Sequence, residues 1–164
     1  MSRSPDIRLA DVDEPMLERL LSLAIRDASP DEVTPPPGSG TGWNAERTGW
    51  FRAYHRSAAA GLDGPAAEKS WAVLCDGNPA GSVRLKRATE GTAETGIWLA
   101  RSYRGCGAGS AALSLVLAEA RRAGLRRVIA RTTAGNIGAQ RLLTAAGAQL
   151  THGDDGAVSA AVVL

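Results

Sequence analysis

Aromatic side chains, cysteine, histidine and lysine are all scarce in this sequence, and each shortage removes a class of protein. Only seven of the 164 residues are aromatic, so the core must be aliphatic and small, and any cluster of aromatics carries information. The two cysteines, Cys75 and Cys106, stand far apart with no Cys-x-x-Cys pair and no histidine beside them. That spacing excludes a zinc ribbon or a disulfide scaffold, predicts two free thiols and leaves no metal to expect. No stretch approaches the roughly 18 consecutive apolar residues of a membrane span. The opening Met-Ser-Arg-Ser-Pro-Asp lacks the apolar core of a secretion signal. The chain is therefore expected to be cytoplasmic, with no membrane partner.

What is present describes one domain, residues 1–164. A hydrophobic share of 44% and a charged share of 22% suit a folded chain and not a disordered one. The net charge of +2 conceals a segregation. Residues 1–100 carry 11 basic and 14 acidic groups, whereas residues 101–141 carry eight basic and one acidic. Seventeen of the 19 basic residues are arginine, whose planar fork suits phosphate. The basic stretch has no interleaved aromatics, which argues against a nucleic-acid partner.

Periodicity divides the chain into alternating elements. Ile7-Arg8-Leu9 reads as a strand, and Asp13-Glu14-Pro15 supplies a cap, an acidic first turn and an early proline for a helix. Leu17, Leu20, Leu21, Ala24 and Ile25 then fall on one helical face. Residues 29–42, with four prolines and three glycines, read as a long irregular loop. Trp43, Arg47, Trp50, Phe51, Tyr54 and Ala58 recur at helical spacing up to Gly61. Residues 70–75 and 80–86 read as a hairpin around Asp76-Gly77, widened by Asn78-Pro79, and Glu94 to Ala100 as a third strand. A helix over 108–123, a strand at 128–130, a helix over 136–146 and strands at 148–151 and 157–164 complete the order. The sum is an α/β fold, an antiparallel meander that passes into a β-α-β-α unit.

The densest signal is Arg104-Gly105-Cys106-Gly107-Ala108-Gly109, between a strand and a helix. Glycines let a backbone approach a phosphate with its N–H groups unobstructed, and a helix N-terminus adds about half a positive charge. A Walker A loop is excluded because no Gly-Lys-Ser/Thr follows. A dinucleotide site would need an acidic residue near the end of the next strand, a region that Arg127, Arg131 and Thr132 occupy instead. A purely structural glycine turn is the remaining alternative.

Ile97-Trp98-Leu99-Ala100, Arg104-x-x-Gly107-x-Gly109, and Asn136 followed eleven residues later by Gly147 together resemble the GNAT superfamily of acyl-CoA-dependent N-acetyltransferases. The likeness spans residues 70–150, and its finer pattern is similar to the ribosomal-protein N-terminal acetyltransferase branch. It implies a mixed, mostly antiparallel central sheet, splayed between two central strands, with helices on both faces. Residues 70–150 would then be the acetyl-CoA-binding core, 1–69 the acceptor side and 151–164 a terminal strand. The resemblance places the pyrophosphate on the amides of Cys106, Gly107, Ala108, Gly109 and Ser110, with Gly105 in the turn and Arg104 beside it. Trp98 and Leu99 would pair with the pantetheine arm, and Asn136 would bond it. Many members carry a tyrosine acid seven residues after the asparagine; this chain has Leu143. Direct attack on the thioester is therefore expected, with water or another donor protonating the thiolate.

An alkylammonium has a pKa near 10, so attack needs a proton acceptor. Glu94 is the first candidate and His55 the second. Cys106 occupies a variable motif position and is not expected to act as a nucleophile. For the acceptor, Trp43, Trp50 and Tyr54 are expected to form an aromatic slot, and Asp31 and Glu32 to attract a cationic amine. A small cationic metabolite or antibiotic is the expected acceptor. A peptide N-terminus is the alternative, and a catalytically silent acyl-CoA sensor the alternative of another class. Either a monomer or a homodimer is compatible with the sequence.

Overall fold

Asp13 accepts a hydrogen bond from the Met16 amide at 2.9 Å and so caps helix α1, Glu14–Asp27, with proline in its first turn. The computed structural model describes residues 4–38 and 40–164. Met1–Arg3 of the opening stretch and Ser39 of the expected loop lie outside the described residues. Helix α1 buries Leu17, Leu20, Leu21, Leu23 and Ala24. It is rolled so that Leu23, on one flank of the stripe, is covered, and Ile25, on the other flank and expected inside, is 48% exposed.

The proline-rich stretch is not wholly irregular, as it was expected to be. Pro30–Val33 forms a one-turn helix, α2, because a proline at its start and Asp31 and Glu32 in its first turn are the signals that also begin α1. Asn44 caps helix α3, Ala45–Ala58, at the Arg47 amide, and α3 buries Arg47, Phe51, His55 and Ala58.

The strands are β1 (Ile7–Asp11), β2 (Glu68–Cys75), β3 (Asn78–Arg87), β4 (Thr92–Leu99), β5 (Arg127–Thr133), β6 (Gln149–His152) and β7 (Ala157–Val163). They form one seven-stranded sheet in the order β1-β2-β3-β4-β5-β7-β6. Every pairing is antiparallel except β4 with β5. The β2–β3 hairpin turns on Asp76-Gly77 alone, both with positive φ as a two-residue primed turn requires. Asn78 and Pro79 belong to β3, paired with Cys75 and Leu74, and so do not widen the connection; the register shifts one step later, where Ala80 is the extra residue opposite the Val73–Leu74 step of β2.

Helix α4, Ala108–Arg122, and helix α5, Ile137–Ala145, follow β4 and β5. The main core joins Leu113, Val116 and Leu117 of α4 and Leu143 of α5 to Val73, Val83, Leu85 and Val128 of the sheet. A second core joins Leu17, Leu20 and Leu21 of α1 and Phe51 of α3 to Ala72. Helices thus cover both faces, α1 and α3 on one and α4 and α5 on the other.

Candidate active site

The parallel pairing of β4 with β5 runs only from Thr92↔Arg127 to Thr95↔Ala130. Beyond it, β4 continues on β3 as far as Leu99↔Gly81, while β5 continues on β7 as far as Thr133↔Ala157. The sheet therefore opens at Gly96. Ala100 N–H donates to Ala80 C=O at 2.9 Å, so by the alternation of an antiparallel ladder Trp98 turns its main chain to β3, and Ile97 and Leu99 turn theirs to the gap. Of the two residues expected to offer main chain there, Leu99 is at the gap. Trp98 is not, and Ile97 takes its place. The Trp98 ring points instead into the second core, edge-on to Phe51 at 6.4 Å.

At the end of β4 a single turn, Arg101–Tyr103, leads into the glycine loop. Gly105 and Gly107 have φ of 78° and 87°, and a Cβ on either would meet nothing within 4 Å. Both positions thus need glycine for conformation and border open space. Gly107 caps α4 without a side-chain bond, and the first loop-to-helix bond is Ala111 N–H to Gly107 C=O. The Cys106, Gly107, Ala108, Gly109 and Ser110 amides have no acceptor among the described residues. Gly109 serves packing: a Cβ there would lie 2.9 Å from Leu142 Cδ1 and 3.5 Å from Leu99 Cδ1. It lets α5 and the end of β4 close on α4. Unbonded amides, a helix N-terminus and open space form a concave donor set that fits a pyrophosphate.

Arg104 is not free in solvent beside this loop. Its Nε and Nη2 donate to Leu99 C=O at 3.1 and 2.9 Å, and Nη2 also bonds Glu32 of α2. Asn136 caps α5 by accepting from the Ala139 amide at 3.1 Å, which leaves its NH2 group for a ligand. Cys106 is an exposed free thiol, with Sγ 3.0 Å from Tyr103 C=O. Leu143 is buried in the main core, so no acid stands where the tyrosine of related chains would be.

On the α1–α3 side of β4 lies a cleft of about 600 Å³. Trp50 and Tyr54, stacked at 5.2 Å, form its wall with His55 and with Glu32 and Thr34 from the α2 segment. Its floor is the sheet, where cross-strand neighbours set polar side chains in rows: Glu68, Lys86 and Glu94, then Ser70, Arg84 and Gly96, then Ala72, Ser82 and Trp98. Tyr54 donates to Glu68 at 2.8 Å, and burial together with that carboxylate raises its pKa, so the phenol stays protonated. His55 Nδ1 lies 2.8 Å from Ser70 Oγ, and burial lowers its pKa from 6.5 to about 4. The imidazole is therefore neutral near pH 7 and a weak base. Glu94, about one third exposed, has Arg84 at 3.9 Å.

The cleft gathers Glu32, Trp50, Tyr54, His55, Glu94 and Trp98 from the sequence-based candidates. Two others fall outside it. Asp31 turns away to bond the buried Arg47 at 2.7 Å, fastening α2 to α3. Trp43 packs against the second core and donates to Ala28 C=O at 3.2 Å. The sequence reading missed Glu68, Ser70, Ser82, Arg84 and Lys86. Their signal was there: Ser82, Arg84 and Lys86 alternate on one face of a strand whose other face, Val83 and Leu85, is core.

An acyl-carrier cradle at a splayed sheet, with a separate cleft on the other flank of the same strand, defines an acyl-transfer class of protein. Residues 33–148 match the Acetyltransferase (GNAT) family, and the chain belongs to it. No curated protein matches the sequence. Among solved structures, the GNAT domain of S. lividans PAT is 22% identical with a TM-score of 0.73, over 98% of this chain and 90% of that one. The ribosomal L7/L12 α-N-protein acetyltransferase RimL, in complex with coenzyme A, is 17% identical with a TM-score of 0.76, over 96% and 94%. Salmonella typhimurium yncA, a putative acetyltransferase with acetyl-CoA, is 18% identical with a TM-score of 0.65, over 99% and 95%. These three share the fold.

Proposed function

We propose that this chain, acting as a single cytoplasmic domain, transfers an acetyl group from acetyl-CoA to the primary amine of a small molecule held in the cleft. The observation that carries this reading is the position of β4, whose Leu99 main chain lines the gap while Trp98 and Glu94 line the cleft. Acetyl-CoA would supply an acetyl group activated as a thioester. The amides of Cys106 to Ser110 would hold its pyrophosphate, and Asn136 and the gap-facing groups of Ile97 and Leu99 its amide-bearing arm. Arg104 would release Leu99 C=O to that arm and turn its charge to the phosphates. The Leu99 N–H is a fixed donor for charge developing on a carbonyl oxygen beside it.

Glu94 is the proton acceptor in this reading, because His55 is held neutral as a weak base. Glu94 stands three residues before Ile97, about 10 Å along a strand, so it takes the amine proton through water. Leu143 offers no proton, and water protonates the departing thiolate. Closure of the cleft by Trp50 and the α2 segment favours a small acceptor over a protein N-terminus. Arg84 and Lys86 on the floor disfavour a polycation. The test is calorimetric titration with acetyl-CoA and NADPH, followed by thiol release across an amine panel. Tight binding of acetyl-CoA alone, with turnover, is the expected result. No binding of acetyl-CoA would defeat the reading, and binding without turnover would favour a sensor.

A further inference from the structure

Arg84 is an arginine of the cleft floor whose side chain makes no hydrogen bond among the described residues. Its guanidinium stands 3.7 Å from Glu68 and 3.9 Å from Glu94, near enough for charge balance and too far for hydrogen bonds. Glu68 is engaged by Tyr54. No donor of the Arg84 fork reaches an acceptor among the described residues, and its side chain is 33% exposed to the cleft. Space for it is reserved across the ladder. A Cβ on Gly96 would lie 3.0 Å from Arg84 Nε and 3.2 Å from Cζ and Nη2, so a side chain there would displace the fork. The result is a flat cation held on a central strand, with its donors turned to the space that receives the acceptor.

We propose that Arg84 binds the carboxylate of the acceptor, which makes that acceptor a free amino acid or a close zwitterionic analogue. Guanidinium and carboxylate pair through two parallel hydrogen bonds, a geometry that fixes orientation as well as position. Gly96, beneath Arg84, precedes Trp98 by two residues, roughly 7 Å along the strand. An α- or β-amino acid anchored at Arg84 covers that span with one hydrogen bond at its carboxylate and an attack distance of about 3 Å at its amine. Glu94, on the far side of Gly96 from Trp98, then reaches the ammonium end only through water, as in the transfer reading. This inference rests on the acyl-transfer reading for the identity of the cleft, but one of its two readouts, direct binding, does not depend on turnover.

The test compares each proteinogenic amino acid with its carboxamide, and adds a polyamine and a short peptide, as acceptors for the wild type, Arg84→Gln and Arg84→Lys. The expected result is a preference of at least about tenfold in kcat/KM for the acid over its amide in the wild type. In Arg84→Gln that preference collapses through KM of the acid, and Arg84→Lys restores part of it. Equal use of acid and amide by the wild type, activity confined to the polyamine or the peptide, or an equal loss toward acid and amide in Arg84→Gln would each overturn the proposal. Calorimetric titration of the amino acids into the chain with coenzyme A present gives a second readout. Binding that Arg84→Gln abolishes, with no turnover of any amine, would uphold the carboxylate site and defeat the transferase reading. Absence of binding as well as turnover would overturn the carboxylate site.

Discussion

The two flanks of β4 are built on different principles. On the gap side the site is made of backbone: unbonded amides from Cys106 to Ser110, the open edge of Ile97 and Leu99, and glycines whose conformations shape a concave loop. On the cleft side it is made of side chains from α2, α3, β2, β3 and β4, brought together only by helix packing and strand register. A backbone site can be written in one contiguous stretch, and it binds what any related chain binds. A side-chain site is distributed over the fold and is free to vary with the acceptor.

Changes on the two flanks should therefore have separable effects. The largest is expected from Gly107→Val, which forces a Cβ onto a residue at φ 87° and into the space facing the cradle. Affinity for acetyl-CoA should fall by at least about a hundredfold by calorimetry, on the scale of losing several charge-assisted hydrogen bonds, while circular dichroism stays native. Retained affinity would mean that the loop is only a structural turn. Next is Glu94→Gln, for which turnover should drop about a hundredfold near pH 7 with acetyl-CoA affinity preserved. The deficit should shrink toward pH 10, where amines lose the proton unaided. A pH-independent deficit would remove Glu94 as the base.

His55→Leu probes stability on the cleft side. Its imidazole is neutral in the folded chain down to about pH 4, whereas an unfolded chain takes up the proton below pH 6.5. The folded state thus loses stability as pH falls from 6.5 to 4, by roughly 3 kcal/mol over the whole window. Urea midpoints of the wild type should fall further between pH 7 and pH 4.5 than those of His55→Leu, and parallel curves would contradict the burial argument. The smallest effect is expected from Arg52→Gln, which breaks an exposed ion pair with Glu18 between α3 and α1. Its melting midpoint should be indistinguishable from wild type.

The same contrast explains what could be read from sequence. The α4 and α5 helices and the glycine loop were legible because each is specified locally by apolar spacing and by glycines at its ends. Helix α2 hid among prolines and was visible only through its first-turn chemistry. Glu94 was found because it sits on the strand that carries the family pattern. Arg84 and Glu68 were not, because their meaning comes from contacts across the fold, Arg84 with Glu94 and Gly96 and Glu68 with Tyr54, residues 10 to 14 positions away in the chain. Asp31 and Trp43 show the converse: residue types suited to binding were recruited to fasten α2 to α3 and to fill the second core.

The opening between β4 and β5 also gives the middle of the sheet an edge. Edges recruit stray strands, and proteins commonly guard their outermost ones with charge or proline. Here the guard is Arg104, folded over the Leu99 carbonyl and pinned by Glu32. Without it, the inner edge would invite strand addition from a neighbouring molecule. The Arg104→Ala chain should accordingly aggregate sooner than wild type in light-scattering experiments, and acetyl-CoA in the gap should delay the loss. A residue expected to serve the phosphate would then also keep an internal seam from acting as glue.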